Sequence, residues 1–188
     1  GNWKMNLLRR EAEALAAEIT QHLTKQESIN CDILVCPPFI HISPISRILT
    51  GTPVALGSQD CNQNSFGAHT GEVNSSMLKD YGCSYVIVGH SERRAIYGET
   101  DALTKVKAES VISAGMTAIV CVGETLAERE QERTLECISK QLSGSLPDVF
   151  SAQNIVIAYE PVWAIGTGLT ASVDKVAEIH LLIRKMLS

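Results

Sequence analysis

Short apolar runs alternate along this chain with longer stretches whose apolar positions recur every three or four residues. Residues 31–38 read CDILVCPP, a run stopped by two prolines, which cannot continue a hydrogen-bonded ladder. Similar runs return at 53–59 (PVALGSQ), 84–89 (SYVIVG), 117–123 (TAIVCVG) and 154–160 (NIVIAYE). Each is continuously apolar and rich in β-branched residues, the pattern of a strand covered on both faces. Between them, the stretch 9–23 aligns Ala12, Leu15, Ala16, Ile19 and Leu23 as one face of a helix, with Leu8 just ahead. The stretch 125–142 opens with Thr125 and Glu128 at capping-box spacing and predicts one helix through Leu135, Ile138 and Leu142. Residues 172–187 predict another, with Val173, Val176, Ala177, His180 and Leu187 on its stripe, and 101–114 a less regular one ended by Gly115.

From 88 to 117, and again from 122 to 154, one strand and one helix together take about 30 residues, the size of a βαβ crossover. With 1–4 counted as the visible end of a strand, six β-units are expected. No polar linker divides them, so 1–188 is expected to form a single α/β domain. Periodicity does not choose between an open doubly wound sheet and most of a closed barrel. Asn2, Lys4, Gln59, His90, Cys121 and Glu160 all fall at or just after the C-terminal ends of different expected strands. A (β/α)₈ barrel builds its active face in this way, although open sheets also gather ligands at strand ends.

Composition narrows the function. Lysine plus arginine is 16 against 21 for aspartate plus glutamate, a formal charge of −5. That balance gives no electrostatic case for nucleic acid or an anionic membrane, but leaves room for a local basic site for a small anion. The cysteines, Cys31, Cys36, Cys61, Cys83, Cys121 and Cys137, form no CxxC pair, and several lie inside the apolar runs. They read as reduced thiols of a cytoplasmic protein rather than as a disulfide framework or zinc cluster. Neither a secretory apolar region nor a membrane-spanning run is visible. The opening GNWKMN lacks an initiator methionine, so a missing start is expected.

Among candidate chemistry Glu160 comes first. It closes the run IVIAYE and precedes PVWAIGTG, which suits a general base under a hinged lid; a salt-bridged glutamate before an ordinary loop is the alternative. His90 follows SYVIVG and precedes SERRA. If a helix begins at Ser91, its free N–H groups disfavour imidazolium, and a neutral ring can donate to an oxyanion. A structural histidine bonded to backbone is equally open. Lys4, beside Asn2, can neutralise an anionic substrate or simply be solvated. Glu92 reads as an acid–base group or, more simply, an ion-pair partner for Arg93, Arg94 or Lys4. Cys121 reads as a buried structural thiol rather than a nucleophile. His22, His41 and His180 have no partner at metal-ligand spacing, and no GxGxxG or phosphate-loop motif occurs. Neither a metal nor a cofactor is expected. The small-residue loop GAHTGE at 67–72 is either a projecting packing element or a mobile surface turn.

Five stretches in order, GNWKMN at 1–6, QDCNQNSFGAHTGEV at 59–73, VIVGHSERR at 86–94, CVGETLAERE at 121–130 and AYEPVWAIGTG at 158–168, closely resemble the triosephosphate isomerase family. The resemblance covers essentially the whole chain. It implies a (β/α)₈ barrel of about 250 residues, normally a homodimer, that interconverts dihydroxyacetone phosphate and glyceraldehyde 3-phosphate without cofactor. It implies Glu160 as base and His90 as neutral electrophile, a division of labour already described for that family. Lys4 and Asn2 would meet the substrate, with Glu92, Arg93 and Cys121 in support. Pro161, Val162, Trp163, Ala164, Ile165, Gly166 and Thr167 would form the closing lid. Phe66, Gly67, Thr70, Gly71 and Glu72 would belong to the loop that enters the partner subunit. The family pattern continues beyond residue 188 with further phosphate loops, and is longer both ahead of Gly1 and between Asn6 and Leu7. An incomplete domain is therefore expected. Another sugar-phosphate isomerase and a truncated, catalytically silent homologue remain the rival readings.

Overall fold

The computed structural model describes the chain apart from Glu27, Gly166, Thr167, Leu169 and Ser188. The described residues group into two compact units, 1–88 with 109–118 and 89–108 with 119–188.

The first unit contains the strands β1 (Ile33–Val35), β2 (Val54–Ser58) and β3 (Tyr85–Val88), and the first two residues of β4 (Thr117–Val122). β1 and β2 are parallel, with Ile33 opposite Val54 and Val35 opposite Leu56, and β2 pairs parallel with β3 through Gly57 and Tyr85. The Thr117 N–H donates to the Ser84 carbonyl at 2.9 Å, so β4 starts beside β3. The strand expected at 1–4 is reduced to one parallel bridge between Asn2 and Cys36. The Trp3 N–H donates to the Cys36 carbonyl at 3.1 Å, and the Cys36 N–H to the Gly1 carbonyl at 2.8 Å. Helix α1 (Arg9–Leu23) packs on α2 (Ile42–Leu49), and α3 (Ser75–Asp80) precedes β3. The buried row on α1 is Ala12, Ala16 and Thr20, one position round from the larger Leu15 and Ile19. Small residues at spacing four let α1 lie close to its neighbour. The core is filled by Val35, Ile45, Leu49, Val54, Leu56, Leu78, Val86 and Val88.

The second unit holds the rest of β4, β5 (Ile155–Tyr159), α4 (Ser91–Tyr97), the first part of α5 (Asp101–Ser113), α6 (Leu126–Glu130), α7 (Thr134–Ser145) and α8 (Val173–Leu187). β4 and β5 are neighbours, and the Glu160 N–H donates to the Val122 carbonyl at 2.8 Å. Within each unit, strand neighbours follow chain order. That is the winding of a barrel; a doubly wound sheet reverses its order at a switch point.

Two sequence expectations need correction. The stretch 125–142 is two helices. Thr125 caps α6 as its spacing predicts, its hydroxyl accepting from the Glu128 N–H. The helix then stops because Glu132 takes φ +58. The Arg133 N–H turns back to the Glu128 carbonyl and the Glu132 N–H to that of Arg129, which is a Schellman stop with glutamate where glycine is usual. On α8 the covered residues are Ile179 and Ile183, while Val173, Ala177 and His180 are exposed. Apolar residues occur on several sides of this helix, so packing rather than period selects the face. β5 is the last strand in the order, and a groove of about 920 Å³ runs along it, lined by Ile155, Val156, His180, Ile183 and Leu187 among others. None of the expected site residues lines it. No described helix is long and apolar enough to cross a membrane.

Candidate active site

In the second unit, α4 places the histidine. His90 is its N-cap, and Nδ1 accepts from the Glu92 N–H at 3.2 Å. A nitrogen that accepts carries no proton, so in the neutral ring the proton sits on Nε2. That atom lies 2.9 Å from Oε1 of Glu160, and the other Glu160 oxygen accepts from the Ser91 N–H at 3.1 Å. His90 is 6% exposed, so the pair is largely shielded from water. Burial pushes the Glu160 carboxyl up, but the bonds from His90 and Ser91 outweigh it and hold the group below its ordinary value.

The chain after Glu160 is anchored by a second carboxylate. Glu124, fully buried after β4, accepts from Trp163 Nε1 at 2.9 Å and Arg129 Nη1 at 2.8 Å. The Tyr159 hydroxyl lies 3.0 Å from each Glu124 oxygen. The Arg129 guanidinium also covers the Trp163 ring at 4.7 Å. Residues Val162–Ala164 form one 3₁₀ turn, and the Ala164 N–H returns to the Pro161 carbonyl. Of the expected lid, Pro161 to Ile165 are therefore fixed at the strand side, while Gly166 and Thr167 lie outside the described residues. Glu92 Oε2 stands 3.6 Å from His90 Nδ1, beyond hydrogen-bonding distance. Arg93 pairs with Glu99 at 2.6 Å and lies over the Tyr97 ring. Cys121 is buried on β4.

The first unit carries the remaining candidates. Lys4 takes φ +52, an uncommon region for a non-glycine residue. Its N–H donates to Asn2 Oδ1 at 2.9 Å, and its carbonyl accepts from Gln59 Nε2 at 2.9 Å. The same Gln59 amide donates to the Cys36 carbonyl at 2.8 Å. Asn2, Lys4 and Gln59 thus form one hydrogen-bonded group. In the loop after β2, Phe66, Gly67, Thr70, Gly71 and Glu72 are all exposed; Glu72 is tied back by the Asn62 amide at 2.7 Å. Among the described residues no group of three or more His, Cys, Asp or Glu side chains is placed to hold a metal ion.

Sequence reasoning singled out Glu160 and His90, which the fold brings together, but it missed Glu124 and Tyr159. Their signal, a glutamate directly after one apolar run and a tyrosine closing another, acquires meaning only from the tertiary contact.

Against known families, the model described as triosephosphate isomerase matches residues 1–188. The chain belongs to the triosephosphate isomerase family. The triosephosphate isomerase of Bradyrhizobium diazoefficiens is 50% identical over 190 residues, covering 100% of this chain and 74% of that protein. That of Afipia carboxidovorans is 48% identical over 194 residues with the same coverage. The crystal structure of triosephosphate isomerase from Bartonella henselae superposes with a TM-score of 0.89 at 40% identity, over 99% of this chain and 73% of that one. The fold is accordingly part of a triosephosphate isomerase-type (β/α)₈ barrel, and the chain spans about three quarters of the length of these relatives.

Proposed function

We propose that this chain interconverts dihydroxyacetone phosphate and D-glyceraldehyde 3-phosphate through an enediolate, by proton transfer alone. The observation that carries the reading is the contact between a shielded carboxylate and an imidazole of fixed tautomer, Glu160 Oε1 to His90 Nε2 at 2.9 Å. Both Glu160 oxygens accept hydrogen bonds, which lowers basicity. Substrate entering between the two would take over the Nε2 proton as donor to its carbonyl oxygen. Glu160 would then lose a stabilising bond, gain basicity and remove the proton from C1; returning it at C2 completes the isomerisation. Both transfers balance without an oxidant or metal.

Lys4 and Asn2, joined by a hydrogen bond in the first unit, would act on the substrate as the family resemblance implies, the lysine supplying positive charge for the phosphate and the developing oxyanion. The lid from Pro161 to Thr167 would exclude water during the enediolate's lifetime. The exposed loop from Phe66 to Glu72 would dock into a second copy, giving a homodimer, and the protein would act in the cytoplasm. The test is a coupled isomerase assay on the full chain, with other sugar phosphates alongside. Turnover of triose phosphate that falls about 10²–10⁴-fold in Glu160→Gln supports the reading. A preference for another aldose or ketose phosphate, or a folded chain without turnover, overturns it; the latter leaves a silent homologue.

A further inference from the structure

Behind His90, in the same unit, a single guanidinium ties together four separate parts of the chain. Arg94 Nε donates to the Gly89 carbonyl at 2.7 Å and Nη1 to Asp101 Oδ1 at 2.5 Å. Nη2 reaches Ser145 Oγ at 3.0 Å and the Cys121 carbonyl at 3.4 Å. The Ser145 hydroxyl in turn donates to Asp101 Oδ1 at 3.1 Å. Ser145 is fully buried, and the Arg94 side chain is only 17% exposed. A planar fork with several donors engaged has little freedom left.

The Gly89 carbonyl matters most, because it belongs to the peptide that links Gly89 to His90. Holding that oxygen fixes the plane of the peptide, and with it the direction in which His90 leaves the backbone. Gly89 takes φ +66, and a Cβ there would stand 2.6 Å from Thr104 Cγ2 and 3.0 Å from Arg94 Nη2. The turn therefore has no side chain of its own to brace it. We propose that Arg94 is a positioning residue: by gripping the Gly89–His90 peptide it aims Nε2 of His90 at Glu160, and so sets the rate of proton transfer without touching substrate. The effect on rate rests on the isomerase reading; the effect on His90 does not.

The test substitutes Arg94→Lys in the full chain, keeping the charge and the reach to Asp101 while losing the fork. Two quantities are read: the imidazole nitrogen signals of His90 by long-range ¹⁵N–¹H NMR, and kcat against KM. In the unaltered chain His90 should show one tautomer, protonated at Nε2. In Arg94→Lys it should show mixed tautomers, with kcat lowered about 10–100-fold and KM nearly unchanged, the mark of a lost transition-state interaction. Ser145→Ala is the control for stability alone. It removes one Arg94 partner and leaves the Gly89 contact, so melting should move while His90 and kcat stay.

Arg94→Lys with parental His90 signals, or with a kcat loss matching its melting shift as in Ser145→Ala, overturns the proposal. So does an unaltered chain whose His90 carries its proton on Nδ1. Should Arg94→Lys fail to fold, Asp101→Asn, which loosens the guanidinium in place, is read by the same criteria. An unaltered chain without turnover removes the isomerase reading, and the NMR signals still decide the role of Arg94.

Discussion

A Cβ on Gly123 would stand 1.8 Å from the carbonyl oxygen of Glu160 and 2.8 Å from its carbonyl carbon. The backbone leaving β4 runs directly against the backbone that carries the proposed base. Gln141 reinforces the approach: its amide oxygen accepts from the Gly123 N–H at 2.8 Å, and its NH₂ donates to the Gly123 carbonyl at 3.0 Å.

Gly123→Ala must therefore displace residue 160. Overpacking of this kind costs about 1–3 kcal/mol, and a shift of about 1 Å at a catalytic group lowers turnover about 10²-fold. Thermal unfolding together with kcat checks both figures. A Gly123→Ala chain with parental turnover would show that Glu160 tolerates displacement.

Glu99 is the centre of a buried charge cluster, with Oε1 accepting from Lys107 at 2.5 Å and Arg93 at 2.6 Å. Burial raises its carboxyl, but the two cations outweigh burial and hold it below the ordinary value of 4.5. A depressed folded value stabilises the fold above the unfolded value and loses that contribution as pH falls through the folded one. The cluster's contribution is thus complete above about pH 4.5 and declines below it. Glu99→Gln should destabilise the chain by about 3–5 kcal/mol near neutral pH, because Lys107 stays buried without its anion. The variant should also lose less further stability in acid than the parent. Urea unfolding at a series of pH values reads both; parallel acid curves would contradict the linkage.

Burial, and then the neighbouring Glu124 carboxylate, push the Tyr159 phenol well above the ordinary tyrosine value of 10.0. Glu124→Gln removes the anionic part of that effect. Phenolate absorbance should consequently develop at lower pH in Glu124→Gln than in the parent. Identical alkaline titrations would mean that Glu124 does not act on Tyr159.

The thiols should differ sharply in reactivity. Burial raises Cys36 to about 11 and Cys83 to about 12, and burial with the charge of Glu128 raises Cys137 to about 12. Only a thiolate attacks an alkylating reagent. Cys31 alone is exposed, so peptide mapping after brief alkylation at mildly alkaline pH should find the label there. Early label on Cys36 or Cys83 would show that the first unit opens readily.

Much of this was legible along the chain. The run SYVIVG leaves no polar face, and Val86, Ile87 and Val88 of β3 are buried as that pattern predicts. IVIAYE reads the same way, yet on β5, the last strand in the order, only Ile155 is buried and Val156 is exposed. The places of His90 and Glu160 after β3 and β5 were legible in the same runs. What could not be read lies in contacts between distant positions. The partners of Arg94 sit at 89, 101, 121 and 145, with no local pattern to join them. The stop at Glu132 was hidden because a left-handed glutamate looks like any helical glutamate. The exposed face of α8 was misread because leucine and isoleucine occur around it, and only packing against Ile179 and Ile183 chooses among them.

Lys4 holds a backbone conformation that costs a non-glycine residue about 1–3 kcal/mol, secured by Asn2 and Gln59. Glycine at that position would relieve the strain and make the first unit more robust, while deleting the cation. Under the proposed role of Lys4, selection for durability alone would erase this lysine, whereas selection for turnover would retain it; position 4 would then be where the two demands on the sequence pull in opposite directions.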